Sequence, residues 1–206
     1  MSKVKICGLT RLEDIYSVNV AKPDYIGFIF AESRRQISPK IANVLSRVLS
    51  PNIVPVGVFV DAPIDQISGL VQAGTIRAVQ LHGREDSCYI ARLRQQVTVP
   101  VIKGIHVTEV ADVLFGQNLG ANYLLLDNGG GTGQAFDWRR IPSGIKPYFL
   151  AGGIDLENLG EALALGPYCI DISSGAETQG VKNAAKIKAL VEQVRQDSRD
   201  HGQGTI

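Results

Sequence analysis

The chain has 206 residues, 45% of them hydrophobic and 20% charged, ordinary values for a folded globular protein that exclude disordered, collagen-like and coiled-coil organisation. Twenty-one Lys and Arg against 20 Asp and Glu leave a formal net charge of +1, far from the basic excess that supplies phosphate-backbone affinity, so no nucleic-acid partner is expected. An anionic ligand must then be held by local groups.

Short β-branched runs alternate with helix-length amphipathic segments in eight rounds. Strand one is Lys3 to Cys7, followed by a helical pattern near Arg11 to Ala21. Strand two is Tyr25 to Phe30, followed by a helix that Ser38-Pro39 opens, an N-cap and a favoured first helical residue, running to about Ser50. Strands three and four are Val54 to Val60 and Ala78 to His82, with helices near Pro63 to Ala73 and Arg84 to Gln96. Strands five and six are Val99 to Ile105 and Tyr123 to Asp127, separated by a helix near Thr108 to Leu119. Strands seven and eight are Tyr148 to Ala151 and Cys169 to Ser173, with helices near Leu156 to Leu165 and Asn183 to Gln196. Such alternation implies parallel strands joined by right-handed crossovers, and eight units predict a single-domain α/β protein, a closed (β/α)₈ barrel over residues 1–197. An open doubly wound sheet is the alternative, but the turn after strand one, Cys7-Gly8-Leu9-Thr10, lacks its glycine fingerprint. Residues 198–206 read as a loose polar tail.

Cys7, Cys88 and Cys169 are an odd number at unrelated spacings, which suits a reducing compartment rather than a disulfide scaffold. The N-terminus is broken by charge after every one or two apolar residues and lacks a signal-peptide core. The longest apolar stretches fall short of the roughly 18 residues of a membrane span, so no membrane partner is expected. The expected location is the cytoplasm, or an organellar stroma if a transit peptide has been removed.

In an eight-stranded barrel the C-terminal strand ends carry the chemistry, and here they are polar. Strand one ends in Cys7 with Lys5 one layer below on the same face, an arrangement that favours thiolate and predicts a lowered pKa and fast alkylation. Cys7 also fits an inert buried thiol, and Lys5 fits half of an interior ion pair with Asp171 or Asp127. Cys88, on a helix, and Cys169, at the start of strand eight, have no activating neighbour. Asp127 closes strand six and opens a loop with Gly129, Gly130, Gly131 and Gly133, the composition of a substrate cover or a simple turn. Gly152-Gly153 and Ser173-Ser174-Gly175 follow strands seven and eight, the two loops where barrels most often bind phosphate. Arg34-Arg35 follows strand two, either as solvated loop residues or as a fork for a carboxylate. His82 reads as a hydrogen-bonded barrel residue or a base. His82, His106 and His201 are too scattered for a zinc cluster, so no metal is expected.

Lys5-Ile-Cys-Gly-Leu-Thr10, Arg35-Gln-Ile-Ser-Pro39, Val79-Gln-Leu-His-Gly83, Gly130-Gly-Thr-Gly-Gln-Ala-Phe-Asp-Trp138, Leu150-Ala-Gly-Gly153 and Asp171-Ile-Ser-Ser-Gly175, in this order over nearly the whole chain, resemble the phosphoribosylanthranilate isomerase family. The resemblance implies an Amadori rearrangement in tryptophan biosynthesis, from N-(5′-phosphoribosyl)anthranilate to 1-(2-carboxyphenylamino)-1-deoxyribulose 5-phosphate, without cofactor or metal. It implies Cys7 as general base, Asp127 as general acid, Arg35 against the anthranilate carboxylate and Asp171 near the ribose-derived hydroxyls. Gly152, Gly153, Ser173, Ser174 and Gly175 match phosphate-contacting segments. The only partner expected is this small phosphosugar-anthranilate substrate, with the protein a monomer or homodimer. One departure is Lys182-Asn183, where the family pattern has Lys-Asp. Another phosphosugar isomerase, or a non-catalytic phosphosugar binder, would share the barrel and loops; the Cys7/Asp127 pair with Arg35 argues against both.

Overall fold

The computed structural model describes residues 2–129 and 136–200. Eight parallel strands close into a barrel in chain order: β1 (Lys3–Cys7), β2 (Tyr25–Ile29), β3 (Val54–Phe59), β4 (Ala78–Leu81), β5 (Val101–His106), β6 (Tyr123–Asp127), β7 (Tyr148–Leu150) and β8 (Cys169–Ile172). β8 pairs back onto β1 with Lys5 opposite Asp171, which excludes the open sheet. β5 starts two residues later than expected because Pro100 has no N–H to give a ladder; it contributes only its carbonyl, to Val79 N at 2.9 Å.

The outer layer is α1 (Leu12–Ala21), α2 (Pro39–Arg47), α3 (Ile64–Gln72), α4 (Ser87–Gln96), α5 (Val110–Gly116), α6 (Leu159–Ala164) and α7 (Ala184–Asp200). Local chemistry sets their starts. Ser38 Oγ accepts from Ile41 N at 3.3 Å ahead of Pro39, and Asp86 accepts from Tyr89 N at 2.7 Å. Asn183 accepts from Lys186 N at 3.1 Å, so the Asn that departs from the family pattern caps α7 as an Asp would. The eighth round is incomplete. Between β6 and β7 the described residues hold only a 3₁₀ turn, Trp138–Arg140, and Pro142 and Gly144 follow too closely for a helix to continue. α7 runs past the boundary drawn at residue 197, and residues 201–206 of the expected tail lie outside the described residues.

Two cores follow from the alternation of side chains along each strand. Outward residues such as Val4, Ile6, Val79, Leu81, Leu124 and Leu126 pack under Ile15, Ile90, Leu93, Leu159 and Leu190 of the helices. Inward residues Val56, Ala78, Ile102, Leu125, Phe149 and Cys169 fill the lower barrel. Above them the interior turns polar. A two-residue turn with positive φ at Gln179 and Gly180 joins a short hairpin, β9 (Glu177–Thr178) and β10 (Val181–Lys182), that follows β8, and Lys182 Nζ ties it to Ser173 O. A buried Lys103–Glu85 pair at 3.0 Å ties down the loops after β3 and β4: Glu85 accepts from Asp61 N and Gly83 N, and Lys103 donates to Gly83 O.

Candidate active site

A cavity of about 370 Å³ opens at the C-terminal mouth of the barrel, lined among others by Cys7, Arg35, Gln80, His82, Asp127 and Asp171. Cys7, Gln80, Asp127 and Asp171 come from β1, β4, β6 and β8, where strand alternation brings them to one space, while His82 directly follows β4 and Arg35 comes from the loop after β2. The loops with Gly152, Gly153, Ser173 and Ser174 form part of the same wall.

Lys5 is fully buried and pairs with Asp171 at 2.8 Å, which decides between the two partners open in the sequence. Burial pushes its ammonium pKa down, but Asp171 and Cys7 outweigh burial and hold it above the ordinary lysine value. Asp171 Oδ1, by contrast, is buried without a hydrogen-bond partner. Asp171 thus has one oxygen spent on Lys5 and an acceptor left over at the cavity.

Cys7 departs from expectation. Burial pushes its thiol up; Lys5 and Lys182 pull it down and Asp171 pushes it up again, leaving it above its ordinary value. The sequence placed the cation correctly but could not register the desolvation that outweighs it. Cys88 is exposed and Cys169 is buried, its thiol raised further by burial.

Asp127 also carries its proton balance in the unexpected direction. Burial pushes the carboxyl up, but His82 and the N–H groups of Asn128 and Gly129 outweigh it and hold Asp127 below the usual carboxylate range. Asn128 N lies 2.6 Å from Oδ1, and His82 Nε2 lies 3.5 Å from Oδ2. The free protein therefore favours a carboxylate where a neutral acid was expected.

Arg35 reaches the cavity with its fork already engaged. Nε and Nη2 donate to the two oxygens of Glu177 at 2.6 and 2.9 Å, leaving the outer guanidinium edge for a ligand. Burial pushes Glu177 up, but Arg35 and Lys182 bring it down to about 2. Arg34 joins the same carboxylate at 3.0 Å, and Lys182 bridges it to Ser173 O. Glu177 and Lys182 went unread in the sequence because they lie some 140 residues from Arg35; the hairpin that carries them has only its turn as a signal.

Gly152 and Gly153 line the cavity wall and both have positive φ, 92° and 66°, a conformation that glycine adopts without a Cβ penalty. Ser173 and Ser174 face the same space, but Gly175 does not line it. A Cβ on Gly175 would stand 2.1 Å from Ile154 O, so this glycine lets the loops after β7 and β8 close on each other. Of the glycine-rich loop, Gly129 lines the cavity, whereas Gly130, Gly131 and Gly133 lie outside the described residues, as does His201. Among the described residues no cluster of His, Cys, Asp and Glu could hold a metal ion, and no helix is long and apolar enough to cross a membrane.

The family model for N-(5′-phosphoribosyl)anthranilate isomerase matches residues 4–193, the whole barrel. The chain belongs to the N-(5′-phosphoribosyl)anthranilate isomerase family. It is 44% identical over 201 residues to the N-(5′-phosphoribosyl)anthranilate isomerase of Endomicrobium trichonymphae, covering 95% of this chain and 99% of the relative. The crystal structure of phosphoribosyl anthranilate isomerase from Thermus thermophilus superposes with a TM-score of 0.85 at 36% identity, over 94% of this chain and 98% of the other. A further isomerase of the family, solved in complex with reduced 1-(o-carboxyphenylamino)-1-deoxyribulose 5-phosphate, gives a TM-score of 0.82 at 31% identity, over 95% and 100%.

Proposed function

We propose that the protein rearranges N-(5′-phosphoribosyl)anthranilate to 1-(2-carboxyphenylamino)-1-deoxyribulose 5-phosphate in tryptophan biosynthesis, with Asp127 as general acid and Cys7 as general base. The observation that carries this reading is the convergence on one cavity of Cys7, Asp127, Arg35 and the two phosphate-type loops, in a chain matched by the family along its barrel. Asp127 gives its proton to the furanose ring oxygen as the C1′–O bond breaks, and the nitrogen lone pair closes a Schiff base. The imine acidifies C2′–H, which the Cys7 thiolate removes to form an enolamine. Proton return from the Cys7 thiol to C1′ and loss of the C2′ hydroxyl proton to the Asp127 carboxylate give the ketone and restore both groups, so the reaction is a pure isomerisation and needs neither cofactor nor metal.

The working state is a thiolate with a carboxylic acid, whereas the free protein favours a thiol with a carboxylate. Both states hold one proton between the two groups, so activation is one internal proton shift without net uptake. Substrate that excludes water and brings its own anions pushes Asp127 toward the neutral form, while the charge of Lys5 favours the thiolate of Cys7. Arg35 supplies its free edge to the anthranilate carboxylate, Asp171 its unpartnered oxygen to a sugar hydroxyl, and Gly152, Gly153, Ser173 and Ser174 bind the phosphate. The same reading assigns a cytoplasmic protein, monomeric or homodimeric, and sedimentation velocity distinguishes the two states.

Purified protein is expected to consume N-(5′-phosphoribosyl)anthranilate, followed by its fluorescence, in buffer containing a metal chelator. Absence of turnover overturns the reading.

A further inference from the structure

Below the mouth, polar side chains run in contact from Lys5, one layer below Cys7, through Gln80 and His82 to Asp127, and the reaction as written leaves Gln80 and His82 without a part. The Lys5 ammonium donates to Asp171 Oδ2 at 2.8 Å and to Gln80 Oε1 at 2.9 Å, and its charge favours the thiolate form of Cys7. Lysine only donates, so the amide oxygen of Gln80 must face Lys5 and its nitrogen must face away. That nitrogen lies 3.2 Å from His82 Nδ1. An amide nitrogen also only donates, and a proton on Nδ1 would set two donors against each other. The imidazole proton therefore sits on Nε2, which points at Asp127 Oδ2 from 3.5 Å. Gly104 on β5 leaves room for this ring position, since a Cβ there would stand 2.7 Å from Nδ1. His106 ends β5, the strand between β4 and β6, in register with Asp127.

We propose that Gln80 is a positioning residue of the reaction, one that turns the fixed charge of Lys5 into the Nε2–H tautomer of His82 and so keeps a hydrogen-bond donor aimed at Asp127. The proposal rests on the functional reading given above. It makes the fully buried Lys5 the organiser of both sides of the site: by its charge at the base Cys7, and through Gln80 and His82 at the carboxyl of the acid. A 3.5 Å approach is long for a hydrogen bond in the free protein, and contacts of this kind shorten when substrate closes the site. The chain spends a polar residue at an inward position of an otherwise apolar strand, Ala78-Val-Gln-Leu81, and packing alone gives no reason for it.

The chain has three histidines, so imidazole nitrogen resonances in ¹⁵N-histidine-labelled protein are separable, and His82 is assigned by its loss in H82N. The wild type is expected to show His82 with a pyridine-like Nδ1 and a pyrrole-like Nε2. Q80E, whose carboxylate accepts from Nδ1–H, is expected to move the proton to Nδ1 and to lower kcat about tenfold or more with KM within about threefold. Q80M, with no polar atom to hold either tautomer, is expected to give a mixture and a smaller loss. A wild-type His82 protonated on Nδ1 overturns the proposal whether or not the variants fold. A reversed tautomer in Q80E with kcat within about twofold of wild type overturns it as well. The expected wild-type tautomer in a protein that does not turn over N-(5′-phosphoribosyl)anthranilate would overturn the functional reading, and with it the part of Gln80 in the reaction.

Discussion

The two ends of the barrel are built from the same eight strands and treat polar atoms in opposite ways. At the floor, Phe149 meets the rings of Tyr25, Tyr123 and Tyr168 with centroids 5.5 to 5.7 Å apart. The tyrosyl hydroxyls bond one another, Tyr25 to Tyr168 at 3.0 Å, and the Lys3 ammonium lies 5.1 Å over the Tyr168 ring. Every polar tip there is answered from within the floor. At the mouth, Asp171 keeps an oxygen without a partner, and Cys7 and Asp127 each favour the protonation state opposite to the one the proposed reaction needs. A closed floor holds the barrel together, and the unsatisfied mouth is what a ligand can complete.

Lys5 marks the boundary between the two regimes, and removing it should produce the largest loss of stability. K5M leaves Asp171 as a buried, uncompensated charge and is expected to cost about 3–5 kcal/mol in denaturant unfolding; K5M/D171N should recover most of this. A next, smaller effect concerns the hairpin clamp over the mouth. Glu177, lowered to about 2, contributes stability that is complete above the ordinary glutamate value of 4.5 and is lost as pH falls from there through about 2. E177Q should flatten that stretch of the stability–pH curve and weaken substrate binding by loosening Arg35. If its curve parallels the wild type, the clamp contributes nothing. At the floor, Y25F removes one hydroxyl bond and is expected to cost about 0.5–1.5 kcal/mol with kcat unchanged. A loss of turnover there would mean that the two ends are not independent. The finest contrast is in thiol reactivity: timed iodoacetamide mapping should label exposed Cys88 before Cys7 in the free protein, and early labelling of Cys7 would contradict its burial.

The barrel was legible in the sequence because strand-length β-branched runs alternate with helical ones, and because inward and outward residues alternate in each run. β1 and β6 lie where the runs Lys3 to Cys7 and Tyr123 to Asp127 put them. Locations of site residues were legible for the same reason: once the strands are known, Cys7, His82, Asp127 and Asp171 stand at their upper ends. Interactions that depend on closure were not. Arg35 reads as a free fork until β8 and its hairpin bring Glu177 against it, and Cys7 reads as activated by Lys5 until the surrounding strands exclude water from both. His82 reads as a bland barrel residue because its partner Asp127 is 45 positions away, on a strand two places around the barrel.

The claim that the mouth performs acid–base chemistry through Cys7 and Asp127 is tested most directly by single-site turnover. C7A and D127N, assayed with N-(5′-phosphoribosyl)anthranilate beside a binding titration with reduced 1-(o-carboxyphenylamino)-1-deoxyribulose 5-phosphate, should each lose about 10²- to 10⁴-fold in kcat, roughly 3–5.5 kcal/mol of barrier, with affinity for the analogue little changed. Near-wild-type turnover in either variant would contradict the role given to that residue.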